Sequence, residues 1–325
     1  MPAPSMTTAD GGGYLGGDTV KEVFNRAALE AYRAENVYRR VADVKWDEGS
    51  DPMPGNPVTF TIITAIAPQT TPLSETVEPT PGNIADTTKS ITLAEYGHAV
   101  KPTKKVKVTS FLGMDLIATQ EITANMEESV DIVARDVLVA GSNALFAGDA
   151  TSRLTLDLGT TDDILTGNNI RRARAYLAGL NTPPPPGSTM YVSFIHPDVN
   201  NDLQSETGQQ AWSAPHVYAD PSAIYTGEIG ALSGVRFVEN ANAKIWANAG
   251  SGSPGGLLDV YATIFVGRQA LGEAVGVPQH VIIAGPFDDL QRFVSIGWYG
   301  LLGYGRIREN SLLRYESLSS IGANT

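Results

Sequence analysis

No cysteine occurs in the 325 residues. That excludes disulfides, thiolate zinc sites and thiol nucleophiles, and the chain does not depend on an oxidising compartment. Histidine is scarce: His98, His196, His216 and His280 are scattered, and no two stand at metal-ligand spacing. No apolar run is long enough to cross a bilayer, so no membrane partner is expected. The N-terminus, MPAPSMTTADGGGYLGGD, lacks a basic region followed by an apolar stretch, so it does not read as a secretory signal. Positive charge is also short: 23 Lys and Arg face 35 Asp and Glu, for a net charge of −12. A general nucleic-acid binder carries the opposite sign, so no specific DNA binding is expected.

Signatures of chemistry are missing as well. There is no Walker phosphate loop, and GGGYLGG (11–17) has no strand before it. No G-x-S-x-G elbow occurs, and AGSGSPGG (249–256) lacks the frame. The run from Asp198 to Asp202 resembles the start of a calcium loop, but Leu203 and Gln209 stand where that loop needs Gly and Glu. An acidic helix N-terminus is the simpler reading. His196, in FIHPD, reads as a satisfied polar residue at a strand end. PPPP (183–186) reads as a stiff loop before a strand rather than a docking peptide. Arg171, Arg172 and Arg174 read as a solvated helix face. No catalytic residue, cofactor or metal is expected.

What remains is a chain that is 42% hydrophobic, enough for a sizeable core. Residues 1–17 read as a flexible arm. Thr19 and Glu22 form a capping box that opens a helix over 19–33, with Val41 as its furthest extent. Residues 47–57 are turn chemistry. The runs NPVTFTIITAI (56–66) and SITLAEYGHAV (90–100) have strand periods, and KKVKVTS (104–110) alternates again. Between the first two lies PQTTPLSETVEPTPGNIADTTKS (68–90), with four prolines and six threonines and little to bury. It is too poor in apolar residues to fold on itself. As the tip of a two-armed hairpin, its half-length could span about 35–40 Å.

From Asp115 to about Phe146 the period turns helical. Leu116, Ile122, Met126, Val130, Val133, Val137, Ala140 and Ala144 form the apolar series, with Glu121, Glu127, Glu128, Asp131, Arg135 and Asp136 on other faces. Val130, Val133 and Val137 are expected to face the subunit's own sheet. The rest is mixed: a helix over 168–180, a strand over 191–195, a helix from His196, strands at 234–239, 258–265 and 280–284, and a loosely alternating tail over 292–315.

An arm that cannot bury itself needs a partner. Its tip carries Glu75, Glu78 and Asp86 against Lys89, and its expected base carries Lys101, Lys104, Lys105 and Lys107. Tip and base are too far apart to pair within one extended arm, so they are candidate inter-subunit contacts. The alternative is that both clusters are merely solvated.

In LAEYGHAV (93–100), FIHPDVNNDL (194–203) and GEIGALSGVRFVEN (227–240), and in the order of its parts, the chain resembles the major capsid proteins of tailed phages. These have the Hong Kong 97-type fold, and the likeness is to the branch of the coliphage N4 capsid protein. The resemblance implies an α+β fold with an N-terminal arm (1–18), an N-terminal helix and connector (19–50), an extended hairpin or E-loop (51–110), a peripheral domain with a long spine helix (111–160), an axial domain (161–285) and a return to the peripheral domain (286–325). It implies a non-enzymatic virion protein, made in the bacterial cytoplasm, whose pentamers and hexamers tile an icosahedral shell around double-stranded DNA. Gly/Pro turns at 51–57 and 79–82 suit the bending such a lattice needs. No large scaffolding region precedes the arm, so the resemblance implies a separate scaffold or assembly without one, beside portal and decoration proteins. Lys89 could enter a cross-link, but nothing identifies its partner. Two competitors stand beside this reading. One is a mixed α/β enzyme with 68–90 as a lid, and the other a β-rich adhesin or binding module.

Overall fold

The computed structural model describes residues 36–45, 57–73, 75–76, 78–79, 81–110, 114–158, 163–206, 228–251, 258–285, 289–290 and 292–321. The expected arm (1–18), the capping-box helix (19–33) and most of the 47–57 turn lie outside the described residues. No α-helix reaches Val41: residues 38–41 form a 3-10 turn that leads into β1 (Ala42–Lys45).

Two sheets share one long helix. The larger sheet holds β5 (Ala144–Phe146), β13 (Leu312–Ser317), β10 (Val260–Val266), β6 (Tyr191–Ile195), β8 (Val235–Glu239) and β7 (Glu228–Leu232) in that order, with β9 (Ile245–Trp246) also paired to β10. Every residue of β6 and β10 is buried, as expected of strands covered on both faces. On one face lie α3 (Gly167–Gly179) and α4 (Pro197–Ser205), whose Ile170, Ala173, Leu177, Val199 and Leu203 join Phe237, Phe265 and Tyr315 in the main core. On the other face Val37, Tyr38, Leu138 and Val139 pack against Phe194 and Ile264.

The smaller sheet has the order β1, β11 (Leu271–Ala284), β12 (Ser295–Arg306), β4 (Ala94–Val100). β1 runs parallel to β11, and the other pairs are antiparallel. β11 carries Pro278 inside its second register irregularity, where the ladder can spare the missing donor. Strand pairing thus divides the expected return segment 286–325 between both sheets, and the β11–β12 pair crosses the expected 285/286 boundary.

The spine helix, α2, is shorter than its period implies. It spans Met114–Val139, a rod of about 39 Å, and Ala144 belongs to β5 instead. Its end is set from afar. The Arg306 guanidinium donates to the Val137 carbonyl at 3.1 Å, and Arg314 donates to those of Val139 and Gly141. These bonds satisfy acceptors that a helix end leaves open. The buried stripe is Ile122, Met126, Val130, Ala134 and Leu138. Its first three residues pack on Trp298, Ile296 and Leu302 of the small sheet, and its last two belong to the core beside the large sheet. Val130 faces the sheet as expected, and the half-buried Val137 packs against the core beside the large sheet, but Val133 is half-buried and joins no core cluster. Asp131, expected on an outer face, is buried, and its carboxylate accepts from the Val37 and Arg39 backbone N–H groups at 3.2 and 3.0 Å.

Residues 104–110 are corrected too. They are no third strand: α1 spans Lys104–Thr109, capped by the Thr103 hydroxyl, which accepts from the Val106 N–H at 3.3 Å. Val106 and Val108 are exposed, so the Lys/Val alternation marks no buried face.

Candidate inter-subunit surfaces

The hairpin is a two-stranded ribbon of β2 (Val58–Ile63) and β3 (Asp86–Ile91), in antiparallel register from Val58↔Ile91 to Ile63↔Asp86. One further backbone bond, from the Thr64 N–H to the Ala85 carbonyl at 2.8 Å, extends the pairing outward. The ribbon is fixed at its inner end. Val58 and Ile91 pack with Ala274, and Ile91 lies directly over glycines of the small sheet. A Cβ at Gly305 would stand 2.8 Å from Ile91 Cγ1, and one at Gly303 would stand 2.6 Å from the Thr92 carbonyl oxygen. Such distances are far inside contact, so this close approach requires glycine.

Phe60 and Ile62 are half-buried, and beyond them the described arm lies open. Every described residue from Ile63 to Ser90 is exposed, including Ile66, Leu73 and Ile84 at 59%, 69% and 70%. Glu75, Glu78, Asp86 and Lys89 all lie on this exposed arm. Burying the three apolar side chains on a partner would be favourable by roughly 1.5–3 kcal/mol each if complete.

Among the described residues, concave surfaces adjoin the smaller sheet, and the following ones flank the ribbon and β4. One is a cleft of about 590 Å³ beneath the ribbon, between Ile62 and Thr87 above and residues 180–183, 268–269 and 307–311 below. Its rim carries Arg268 and Arg308. The other is a groove of about 450 Å³ between the edge strand β4 and the first turns of α2, lined by His98, Val100, Lys101, Pro102, Met114, Ile117, Ala118, Glu121, Ile122 and Asn125. Beside it, Val106, Val108 and Leu116 are exposed.

The structure separates the four expected base lysines from the ribbon. Lys101 lines the groove, while Lys104, Lys105 and Lys107 stand on α1, which follows it in the chain. Lys104 and Lys105 are exposed; Lys107 is half-buried and pairs with Asp115 at 2.6 Å. The C-terminal arginines are engaged within the subunit. Arg306 bonds Glu309 at 2.9 Å and the end of α2, and Arg314 bonds Glu316 at 2.7 Å as well as α2. Arg308 donates to the Gln269 side chain at 2.8 Å.

The histidines do not converge. His196 caps α4, its Nδ1 accepting from the Asp198 N–H at 3.2 Å, and burial pushes its pKa down against the pull of Asp198 and Glu239. His98 lies exposed on β4, His280 stacks edge-on with Tyr299, and His216 lies outside the described residues. The calcium-like run is engaged otherwise: Asn200 donates to Glu239 at 2.6 Å, and Asp202 accepts from the Ser320 N–H at 2.8 Å. Among the described residues, no three His, Asp or Glu side chains meet as a metal site, and no helix is long and apolar enough to cross a membrane. The groove residues Met114 and Ile117 escaped sequence reading, because they lie off the stripe that defines the helix's core face.

A family model described as "Phage capsid protein" matches residues 44–311. A search of curated proteins gives no match. Solved structures do match. A chain of Mycobacterium phage Che8 is 17% identical with a TM-score of 0.64, covering 92% of this chain and 97% of that one. One from the capsid of Ralstonia phage GP4 is 15% identical with a TM-score of 0.70, covering 98% and 99%. One from an acidic stable capsid of the Helicobacter pylori bacteriophage KHP30 is 11% identical with a TM-score of 0.66, covering 97% and 100%.

Proposed function

The chain belongs to the phage capsid protein family, its fold is the Hong Kong 97-type and its role is that of a structural major capsid protein rather than an enzyme; from this we propose how it builds a shell. Many copies assemble as pentamers and hexamers into an icosahedral container for double-stranded DNA, in the manner of the N4-like branch that LAEYGHAV and FIHPDVNNDL suggest. The observation that carries the reading is the uncovered arm. A segment whose described residues are all exposed from Ile63 to Ser90, on a ribbon anchored only at its inner end, gains its buried surface on neighbouring subunits. Weak contacts repeated in a closed lattice add through effective concentration.

In this reading the ribbon is the E-loop, the larger sheet with α3 and α4 is the axial unit, and the smaller sheet with α2 is the peripheral one. Glu75, Glu78, Asp86 and Lys89 meet the region of Lys101, Lys104, Lys105 and Lys107 on an adjacent copy. Scaffold, portal and decoration proteins are the further partners, and the bacterial cytoplasm is the site of synthesis. The net charge of −12 supports a lining that does not grip packaged DNA, since tight phosphate contacts would hinder filling and release.

Negative-stain microscopy with light scattering of the expressed full chain tests the proposal. Shells, sheets or capsomer rings are expected. A clean monomer at every concentration and salt overturns it.

A further inference from the structure

Among the described residues, four passages of chain join the two sheets. One is α2, whose buried stripe packs on both. The other three are short: residues 37–41 lead from the core beside the large sheet into β1, 267–270 join β10 to β11, and 307–311 join β12 to β13. The last two are laced together. The Gly267 N–H donates to the Ser311 carbonyl at 2.8 Å, and the Arg308 N–H to that of Gln269 at 3.0 Å. One loop reaches all three. It runs from α3 to β6 and holds the four prolines of 183–186. The Thr182 hydroxyl donates to the Asn310 carbonyl at 3.0 Å, and the Arg268 N–H donates to the Pro183 carbonyl at 2.9 Å. The Tyr191 hydroxyl fixes the loop to β6 by donating to the Thr182 carbonyl at 2.6 Å. The fit leaves no slack, since a Cβ at Gly267 would stand 2.3 Å from Thr182 Cγ2. On the loop's other side Pro185 and Pro186 face Val37, Val41 and Asp43 across a cavity of about 200 Å³.

We propose that the loop 181–186 is a brace that presets the angle between the two sheets. Units joined by a few crossings move relative to one another unless a large apolar interface stops them. Here cavities of about 200 and 590 Å³ flank the loop, so side-chain packing alone does not fill the joint. Proline supplies the stiffness that packing does not. Each ring holds φ near −65°, so four in succession resist the flexing that a glycine loop would allow. The turns around the brace are held in conformations they would not choose alone. Asn181 and Gln269 stand at φ 54° and 58°, a left-handed backbone that persists where the surroundings over-determine it. At Gln269 the side-chain oxygen accepts from Arg308 Nε at 2.8 Å, which ties one crossing to the other. The brace concerns the subunit itself, and it touches the shell reading above in one respect. A subunit whose sheets keep one angle enters a lattice at one curvature.

The chain has no cysteine, so spin labels on introduced thiols report without background. Full-length Ala175→Cys/Glu95→Cys places one label on exposed α3 and one on the exposed edge strand β4. Pulsed dipolar spectroscopy of dissociated subunits then reads the distance between the two sheets. The same pair is measured in Pro184→Gly/Pro185→Ser/Pro186→Gly, which keeps the Pro183 carbonyl, and in Thr182→Val, which keeps the shape and removes the bond to Asn310. The expected result is a narrow distance distribution in the parent and a broader one in both variants, with the far-UV spectrum unchanged. Glycine also lowers the urea midpoint through the unfolded chain, so a lower midpoint with an unchanged width overturns the brace and assigns the angle to α2. A broad distribution in the parent overturns it too. Thr182→Val decides by the same reading if the triple variant does not fold. In assembled material the loosened variants should give a wider spread of particle diameters than the parent, and an equal spread overturns the link to curvature. Failure of the parent to associate overturns the shell reading alone, because the brace is read in dissociated subunits.

Discussion

Replacing Arg39 with alanine should harm the subunit more than removing its partner Glu273. Arg39 holds the 36–45 segment to the body, donating to Glu273 at 3.1 Å through Nε and 2.7 Å through Nη2. Glu273 is fully buried, and its other acceptor bond comes from the Tyr304 hydroxyl at 2.9 Å. Burial of Arg39 is outweighed by its bonds to Glu273, so its pKa rises, and burial with Glu273 keeps Tyr304 protonated. Arg39→Ala strands a carboxylate with one hydroxyl partner, and breaking a buried pair this way costs about 3–5 kcal/mol. Glu273→Leu strands a guanidinium whose side chain is 36% exposed and can hydrate. What remains is the unpaired Tyr304 hydroxyl, at about 1–3 kcal/mol. The double variant Arg39→Met/Glu273→Leu removes both charges and should recover most of the Arg39→Ala loss. Urea unfolding of unassembled subunits measures all three. Equal losses for the two single variants, or a double variant that loses their sum, would refute the asymmetry.

Four further outcomes follow from the geometry. Val130→Asp buries an unpaired charge against Trp298 and Leu302 and should leave insoluble protein, whereas Val133→Asp, on a half-buried position, should keep a soluble fraction. Excising residues 72–88 with a short Gly joint should keep the far-UV spectrum of a folded subunit and abolish particles in the electron microscope. Glu75→Lys/Glu78→Lys should slow assembly in light scattering, more so at low salt, and Lys104→Glu/Lys105→Glu added to it should restore the rate in part, though exposed pairs contribute only about 0–1 kcal/mol each. Asp131 has its pKa raised by burial, which outweighs its backbone donors. Its stabilising contribution is therefore full below the unfolded carboxyl value and falls as pH rises through the folded one; the advantage of the parent over Asp131→Asn in urea midpoint should shrink across that window and then level off.

Local pattern carried much of the fold. The strand Tyr191–Ile195 and the helix over 167–179 are legible because a period or a cap states them within a few residues. The uncovered arm was legible for the same reason, since its prolines and threonines have nothing to bury. The failures share a cause. KKVKVT alternates without a buried face, and the Thr103 cap decides for helix instead. The end of α2 is written in Arg306 and Arg314, more than 160 residues downstream. Asp131 reads as a surface charge until the distant segment at Val37–Arg39 brings its donors. The groove needs β4 and α2 side by side, and its wall residues lie off the helix's core stripe. Long-range pairing, such as parallel β1 against β11, leaves no local trace.

Electron cryo-microscopy of particles made from the full chain tests the central claim most directly. The account predicts closed shells in which this fold repeats around five-fold and quasi-six-fold positions, with density for the ribbon tip on an adjacent subunit. Isolated subunits, or assemblies in which the 63–90 arm contacts no neighbour, would contradict it.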